Sequence, residues 1–445
     1  MSHESEEIAI VGAGPAGLAM AIALADAGFS TRVLDLLPRE ALAAPQEDGR
    51  EIALTHSSVE TLRTLGLWQR LRPAEIGRIR EARVVDGDRH GAVLDFRARG
   101  ALGWIVPNHA LRRVSYEAAA ERPGVRLLAQ SKLLRVAPSA THVELDFAQA
   151  ADGPPGRLHA RLFIAADSRF SWARRQVGIA ADMHDFGRTM IVCRMRHALP
   201  NGEVAFECFG YQRTLAILPL VGNQCSAVLT TDTLAAQRLM DLPAEEFAAL
   251  VETQFGGRLG PMSLHGERFA YPLVAVLARR FTAVRSALIG DAAVGMHPVT
   301  AHGYNLGLQS VAALTQALCE ARAAGQDIGA AEVLSGYDRK HRRDAAVMYH
   351  GTNAVAKLYA SNGAPQRLVR QLILRGAQHL PPLKMAITAR LTGRGGLQLP
   401  VVPWVVPQDR AEAFFNRLPS PDATGSAGLP RRRAASDAPG GLPCR

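Results

Sequence analysis

Residues 8–25 read IAIVGAGPAGLAMAIALA, eighteen residues without a charge. That is close to the ~17–25 apolar residues a membrane-spanning helix needs. Three closely spaced glycines and a proline interrupt the run, however, and Glu4, Glu6 and Glu7 precede it where a secretory leader carries positive charge. The stretch is therefore expected to be strand, turn and helix in a soluble protein with no cleaved leader. In GAGPAG, Gly12 permits the tight turn, Gly14 lets backbone approach a pyrophosphate, and Gly17 lets the helix pack closely on the strand. Pro15 and Ala16 open the helix, whose N-terminus then faces the phosphate charge. The next strand, in STRVLDLL, brings Asp35 eighteen residues after Gly17, and its carboxylate can accept hydrogen bonds from an adenosine ribose. The motif suits NAD and FAD equally, and the acid at position 35 argues against a 2′-phosphate.

A second segment, GDAAVGMHPVTAHGYNLG from Gly290, separates the two cofactors. An isolated Asp at the end of an apolar strand is costly unless something there needs it. FAD is long, and its flavin end must be held far from its adenine. Asp291, after Gly290, can accept from ribityl hydroxyls, and Pro298 stiffens the loop. Gly303, Asn305 and Gly307 then bring the amides of a helix start to the flavin's pyrimidine edge, where reduced flavin is negative.

The segment GDAAVGMHPVTAHGYNLGLQSVAAL resembles the second flavin motif of the class A flavoprotein monooxygenases, the aromatic-hydroxylase type. LFIAADSRFSWARRQVGI looks like the same family's DG motif, which implies that Asp167 helps hold FAD and admits the nicotinamide. Finer features resemble the ubiquinone-biosynthesis hydroxylases. GREIALTHSSVETLRTLGLW implies Arg50 beside the flavin, and VPNHALRRVSYEAA implies Arg112 near the cofactor phosphates. DAAVGMHPVTAHG looks most like the bacterial 5-demethoxyubiquinol hydroxylases within that branch. There are departures: Ser168 replaces the glycine of the DG pair, Ala301 and His302 replace a Gly-Gln, and Gln309-Ser310 stands where Arg-Asp is common.

The resemblance implies an α/β (α+β overall) fold of the para-hydroxybenzoate-hydroxylase type. A Rossmann-like FAD-binding domain carries an inserted antiparallel-sheet substrate domain and a helical C-terminal segment. The texture of the chain agrees. Residues 1–184 read as the first FAD-binding part, with 76–105 as a stretch that can join the substrate domain. Short apolar runs split by turn residues mark an antiparallel sheet over 185–280. Residues 281–345 return to the FAD-binding domain, 346–418 read as helical, and 419–445 read as a disordered tail rich in Pro, Gly, Ser and Ala. Within the first part, SSVETLRTLGLWQRL suggests a helix capped by Ser57 with Glu60 as its reciprocal partner. GVRLLAQSKLLRVA reads as a strand, and HVELDFAQA with RLHARLFIAADS as a hairpin pair.

Bulk properties bound the rest. The chain has 445 residues, is 48% hydrophobic and carries a net charge of +10, nearly all of it from arginine. No basic run with interleaved aromatics points to nucleic acid. The five cysteines form no CxxC pair, which suggests a reducing, cytoplasmic setting. No metal-ligand spacing is present, since His297 and His302 are five apart. A basic amphipathic stretch, 366–391, can either pack on the FAD domain or dock on the inner face of an anionic membrane.

The implied chemistry is ring hydroxylation by O2 through a flavin hydroperoxide, with NAD(P)H as reductant. The implied substrate is a polyprenyl phenol or quinol, 5-demethoxyubiquinol first among them, and other ubiquinone-pathway proteins are candidate partners. His297, His302 and Arg50 are the candidate catalytic residues, and no residue is singled out as the base. A soluble aromatic substrate and a non-oxygenating flavin carrier are the alternatives.

Overall fold

The computed structural model describes residues 4–86, 92–97, 100–149, 155–210, 213–298 and 303–360. The chain separates into a unit of residues Met1–Val402 and a second of Pro403–Arg445, which lies outside the described residues. The amphipathic stretch 366–391 and the tail also lie outside them.

The charge-free opening run forms the strand Glu4–Val11 and the helix Pro15–Asp26. Glu4–Val11 pairs in parallel with Thr31–Leu34 on one side and Pro155–Ala165 on the other. Val125–Leu128 and Ser286–Leu288 extend the sheet outward, again in parallel. Both faces of such a sheet are covered, so its strands are continuously apolar rather than alternating. Ile8, Ile10, Val33, Phe163, Ile164 and Leu288 are all buried. Ser131–Pro138 and Val143–Gln149 add an antiparallel flap onto Pro155–Ala165. The run 124–137 is therefore two strands rather than one. Gln130, with φ +51°, turns the chain between them.

The second sheet is built on two 17-residue strands, Ala181–His197 and Met262–Ala278, paired antiparallel. Gln224–Asp232, Thr214–Pro219 and Val204–Phe209 follow in antiparallel order. Glu81–Asp86 then joins Val204–Phe209 in parallel, and Ala92–Arg97 closes the edge. Strand alternation divides its two faces. Ile191, Cys193, Met195, Leu215, Ile217, Ala227 and Leu229 pack against the helices Thr233–Met240 and Ala244–Phe255. The opposite face looks toward the FAD-type sheet. Its Val192 and Phe269 lie so close to Gly49 that a Cβ there would come within 3.0 and 2.6 Å of them. A small three-stranded sheet, Glu51–Leu54, Gly103–Pro107 and Gly77–Ile79, stands between the two large ones. The helix Ala331–Ala360 runs unbroken across the border expected at 345/346.

Candidate active site

Four adjacent parallel strands end at Leu34, Val11, Ala165 and Leu288. In open α/β sheets ligands gather at such carboxyl ends. Asp35, Gly12, Asp167, Gly290 and Asp291 each follow one of these ends within three residues, so residues as far apart in the chain as Gly12 and Asp291 share one rim.

Gly12 has φ +106°, and a Cβ there would lie 2.8 Å from the Cα of Asp167. A Cβ on Gly17 would strike the carbonyl oxygen of Gly12. The first glycine thus joins the two strand ends, and the third seats the helix on the turn. Gly14 differs: a Cβ on it would meet nothing within 4 Å. Gly14 is the helix N-cap, offers no side-chain cap, and is followed by no acidic residue in the first turn. The N–H groups of that turn are left for a ligand anion. Gly290, with φ +56°, and Gly307 both abut the methyl group of Ala16, as a Cβ on each would lie 3.1 and 3.6 Å away. Small residues from both motifs therefore bring the starts of the helices Pro15–Asp26 and Gly303–Ala323 together. Bare backbone, two helix starts and rim carboxylates are a donor and acceptor set that fits FAD.

The carboxylates also hold the rim itself. Asp35 accepts from the backbone N–H of Ala13 at 2.6 Å and of Leu37 at 2.9 Å. Asp167 accepts from the Ser171 hydroxyl at 2.5 Å and the Ala173 N–H at 3.2 Å. Asp291 is ion-paired with Arg169 at 3.0 Å and remains partly exposed. Pro298 is exposed at the end of the second motif, and His302 lies outside the described residues.

Arg50 donates to Asp48 through Nε and Nη2, at 3.0 and 2.6 Å, and its guanidinium lies 5.5 Å over the Tyr271 ring. Burial alone would raise Asp48, but the Arg50 hydrogen bonds and charge, with Asn108, hold its carboxyl below the ordinary value. Tyr271 in turn donates to the Asp48 carbonyl at 2.8 Å, so the second sheet grips the Arg50 loop. Arg112 is half-buried. Its neighbour Arg113 pairs with Glu75 and Glu117 at 2.9 and 3.1 Å, whereas no carboxylate among the described residues pairs with Arg112. Burial, reinforced by the charge of Arg188, pushes His297 down to about 4. Its ring is neutral at pH 7, a weak proton acceptor that sits edge-on to Phe186 at 4.8 Å.

Asn305 has a role its spacing did not announce. Its side chain accepts from Thr55 N–H at 3.1 Å and donates to Ala53 C=O at 2.8 Å. It ties the second flavin motif to the strand that follows Arg50. Replacing it with Ala leaves one buried and one partly buried backbone group without this partner, and should cost about 2 kcal/mol in urea unfolding. The helix cap nearby is Thr55 rather than the expected Ser57: Thr55 Oγ1 accepts from Ser58 N–H, two residues earlier than the sequence suggested.

Two contacts at the site were not foreseen. Arg174, 3% exposed, donates to the carbonyls of Ala292 at 2.8 Å and Arg169 at 3.2 Å, clasping the DG-like segment to the second flavin motif. Glu51 accepts from Arg194 Nε at 2.8 Å, with the carboxylate side chain 1% exposed and its second oxygen unpaired. Burial raises Glu51 to about 7 against the opposing pull of Arg194. No group of three or more His, Cys, Asp or Glu able to hold a metal occurs among the described residues.

This is the architecture of a flavin-dependent monooxygenase, with a dinucleotide cradle at the strand ends facing an antiparallel sheet. The FAD binding domain family matches residues 5–350. A ubiquinone hydroxylase, UbiM, of Neisseria meningitidis is 46% identical over 395 residues, covering 87% of this chain and 84% of the relative. The 3-demethoxyubiquinol 3-hydroxylase of Escherichia coli is 27% identical, covering 86% and 97%. In fold, the p-nitrophenol 4-monooxygenase PnpA of Pseudomonas putida superposes with a TM-score of 0.72 at 17% identity, over 88% of this chain and 99% of that one. The chain belongs to the FAD-dependent monooxygenases, in the ubiquinone hydroxylase family.

Proposed function

We propose that this enzyme hydroxylates the aromatic ring of a polyprenyl phenol or quinol in ubiquinone biosynthesis, with 5-demethoxyubiquinol as the candidate substrate and NAD(P)H as reductant. One observation carries the choice of substrate class. On the sheet face turned toward the cradle, Ala216 and Val228 are partly accessible, Ala205 and Leu218 beside them pack against the small sheet, and Leu215, Ile217, Ala227 and Leu229 behind them are sealed by helices. A partly open aliphatic face suits a ring with an isoprenoid tail.

FAD, when bound, supplies the activation of O2 and the oxygen transfer. The chain's own groups bind and orient. The first turn of Pro15–Asp26 and Arg112 receive the diphosphate, Asp35 receives the adenosine ribose, and Asp291 the ribityl chain. The backbone of residues 303–307 and Arg50 lie along the flavin, and Asp167 borders the nicotinamide approach. His297 and His302 are the candidate catalytic histidines on the flavin side. Residues 81–97 and 181–278 form the substrate-binding part. Among the described residues no helix is long and apolar enough to cross a membrane. The basic stretch 366–391, outside the described residues, is the candidate for reaching a lipid-embedded tail from the inner face of the cytoplasmic membrane, beside other pathway proteins.

Deleting the gene and profiling cellular quinones by mass spectrometry tests the reading. Accumulation of a precursor lacking one oxygen substituent is expected, and names the ring carbon. An unchanged profile in a cell without a second hydroxylase would redirect the search to soluble aromatics. Hydrogen peroxide release without product from every phenol offered would make the protein an electron carrier instead.

A further inference from the structure

Glu207 lies in the middle of the strand Val204–Phe209, which pairs with Thr214–Pro219 and Glu81–Asp86. Its cross-strand neighbours are Ala216 and Val84, and the row continues through Val228 and Val192 to Phe269 on one side and to Leu94 on the other. At one end of this row Val192 and Phe269 lie against Gly49 of the FAD-binding part, and at the other Val84 and Leu94 pack with Ile79 and Ile105 of the small sheet, so Glu207 sits between the two contacts. Every other member of the row is aliphatic or aromatic. Phe206, before Glu207 in the chain, points the other way, edge-on to Phe255 at 5.1 Å.

A carboxyl in such a row is costly unless something pairs with it. No hydrogen bond or ion pair reaches Glu207 from any described residue, yet the residue stays partly accessible. The charged groups around it are engaged elsewhere. Arg83, on the adjoining strand, is held by Glu81 at 2.5 Å and lies over the Phe206 ring. Arg258 lies over the Phe255 ring behind the sheet. Cys208 also points behind the sheet, its thiol pushed up to about 11 by burial.

We propose that Glu207 is the group that hydrogen-bonds the ring hydroxyl of the bound phenol or quinol and exchanges its proton during hydroxylation. The proposal rests on the substrate class given above. In the forward step the hydroxyl proton passes to a Glu207 carboxylate oxygen. The O–H bonding pair stays on the ring oxygen and enriches the ring carbon that attacks. The new C–O bond forms as the O–O bond of activated O2 breaks, and the other oxygen leaves as water with two electrons drawn from NAD(P)H. That carbon then releases its hydrogen to water as a proton, the ring regains aromaticity, and Glu207 returns its proton to the ring oxygen. No net proton is consumed by the residue. Burial pushes Glu207 up to about 8, between an ordinary carboxylate and a phenol, which is the match that proton exchange with a phenol calls for.

The test compares wild type with Glu207→Gln and Glu207→Asp in the holoenzyme. The probes are a phenol and a quinol each carrying a two-isoprene tail. The Gln variant should bind FAD normally and be reduced by NAD(P)H without substrate as wild type is. It should hydroxylate about 100-fold more slowly, with peroxide replacing product. The wild-type rate should climb through pH 8, the Gln variant should lack that limb, and Asp should restore part of it. A Gln variant with wild-type hydroxylation rate and pH profile would overturn the proposal. Loss of bound FAD in both variants would also overturn it, since Glu207 would then be a structural residue. Failure of the wild type to hydroxylate either probe would instead strike the substrate reading.

Discussion

Gly17→Val should yield a protein without bound flavin and without hydroxylase activity. Any Cβ at position 17 strikes the Gly12 carbonyl oxygen, and lies 3.1 Å from the Gly12 carbonyl carbon and 3.2 Å from the Ala166 methyl group. All of these are fixed by the parallel sheet, since Gly12 N–H is bonded to the Leu34 carbonyl at 2.8 Å and Ala166 N–H to that of Val11 at 2.8 Å. The helix must therefore lift. Overpacking of this kind costs ~1–3 kcal/mol, and a retreating helix start forfeits charge-assisted bonds to the diphosphate of ~1.5–3 kcal/mol each. Together these weaken FAD binding by about 100-fold or more. Gly14→Ala is the control that separates damage to the fold from exclusion of the cofactor. Its backbone, φ −71° and ψ 174°, is open to any residue, and its Cβ would meet no protein atom within 4 Å. The apo variant should melt as wild type does, yet bind FAD at least about 10-fold more weakly, because the methyl group occupies the space left for phosphate. Flavin content by absorbance and FAD titration of the apoprotein read both effects. Undiminished FAD affinity in Gly14→Ala would mean that the cofactor lies elsewhere.

These glycines were legible because their chemistry is local. A tight turn, a close approach and a helix seat each demand the absence of a Cβ at a fixed offset, and Asp35 follows from the length of one helix and one strand. The flavin-side segment was legible for a related reason, since an aspartate ending an apolar strand stands out against its neighbours. What escaped the sequence was pairing across distance. Arg174 reaches the Ala292 carbonyl 118 positions away, and Arg194 reaches Glu51 across 143. Many arginines in the chain have the same look, and no periodicity says which one turns inward. Glu207 was hidden differently. ECF within EVAFECFG alternates like any half-solvated strand, and only the sheet order puts Glu207 on the same face as Val192 and Phe269. The misplaced cap is smaller in kind. Thr55, Ser57 and Ser58 are all competent caps, and the choice fell to Thr55 because Asn305 holds its N–H in place.

Arg194→Met should destabilise the protein by about 1–2 kcal/mol at pH 8, since it strips the partner from a carboxylate that is 1% exposed and that must then take up a proton. The pair joins Glu51 of the small sheet to the strand Ala181–His197, so the damage falls on the seam between the cofactor side and the substrate face. The effect should depend on pH in a definite sense. Folded Glu51 holds its proton up to about pH 7, whereas the unfolded chain releases it near 4.5. The folded state thus binds more protons over that window, so the contribution of Glu51 is fully present at acid pH and is lost as the pH rises through 7. For the wild type this loss is about 3 kcal/mol. Without Arg194 the folded value climbs further, and the decline steepens and extends above pH 7. Urea unfolding at pH 5 and pH 8 should therefore find Arg194→Met closer to wild type at the lower pH. Glu51→Gln/Arg194→Met removes the buried charge altogether and should regain most of the stability at pH 8, with a flatter pH dependence than either parent. Were the double variant as unstable as Arg194→Met alone, the loss would lie in the packing of the arginine stem, and Glu51 would be neutral in the folded protein whether or not Arg194 is beside it.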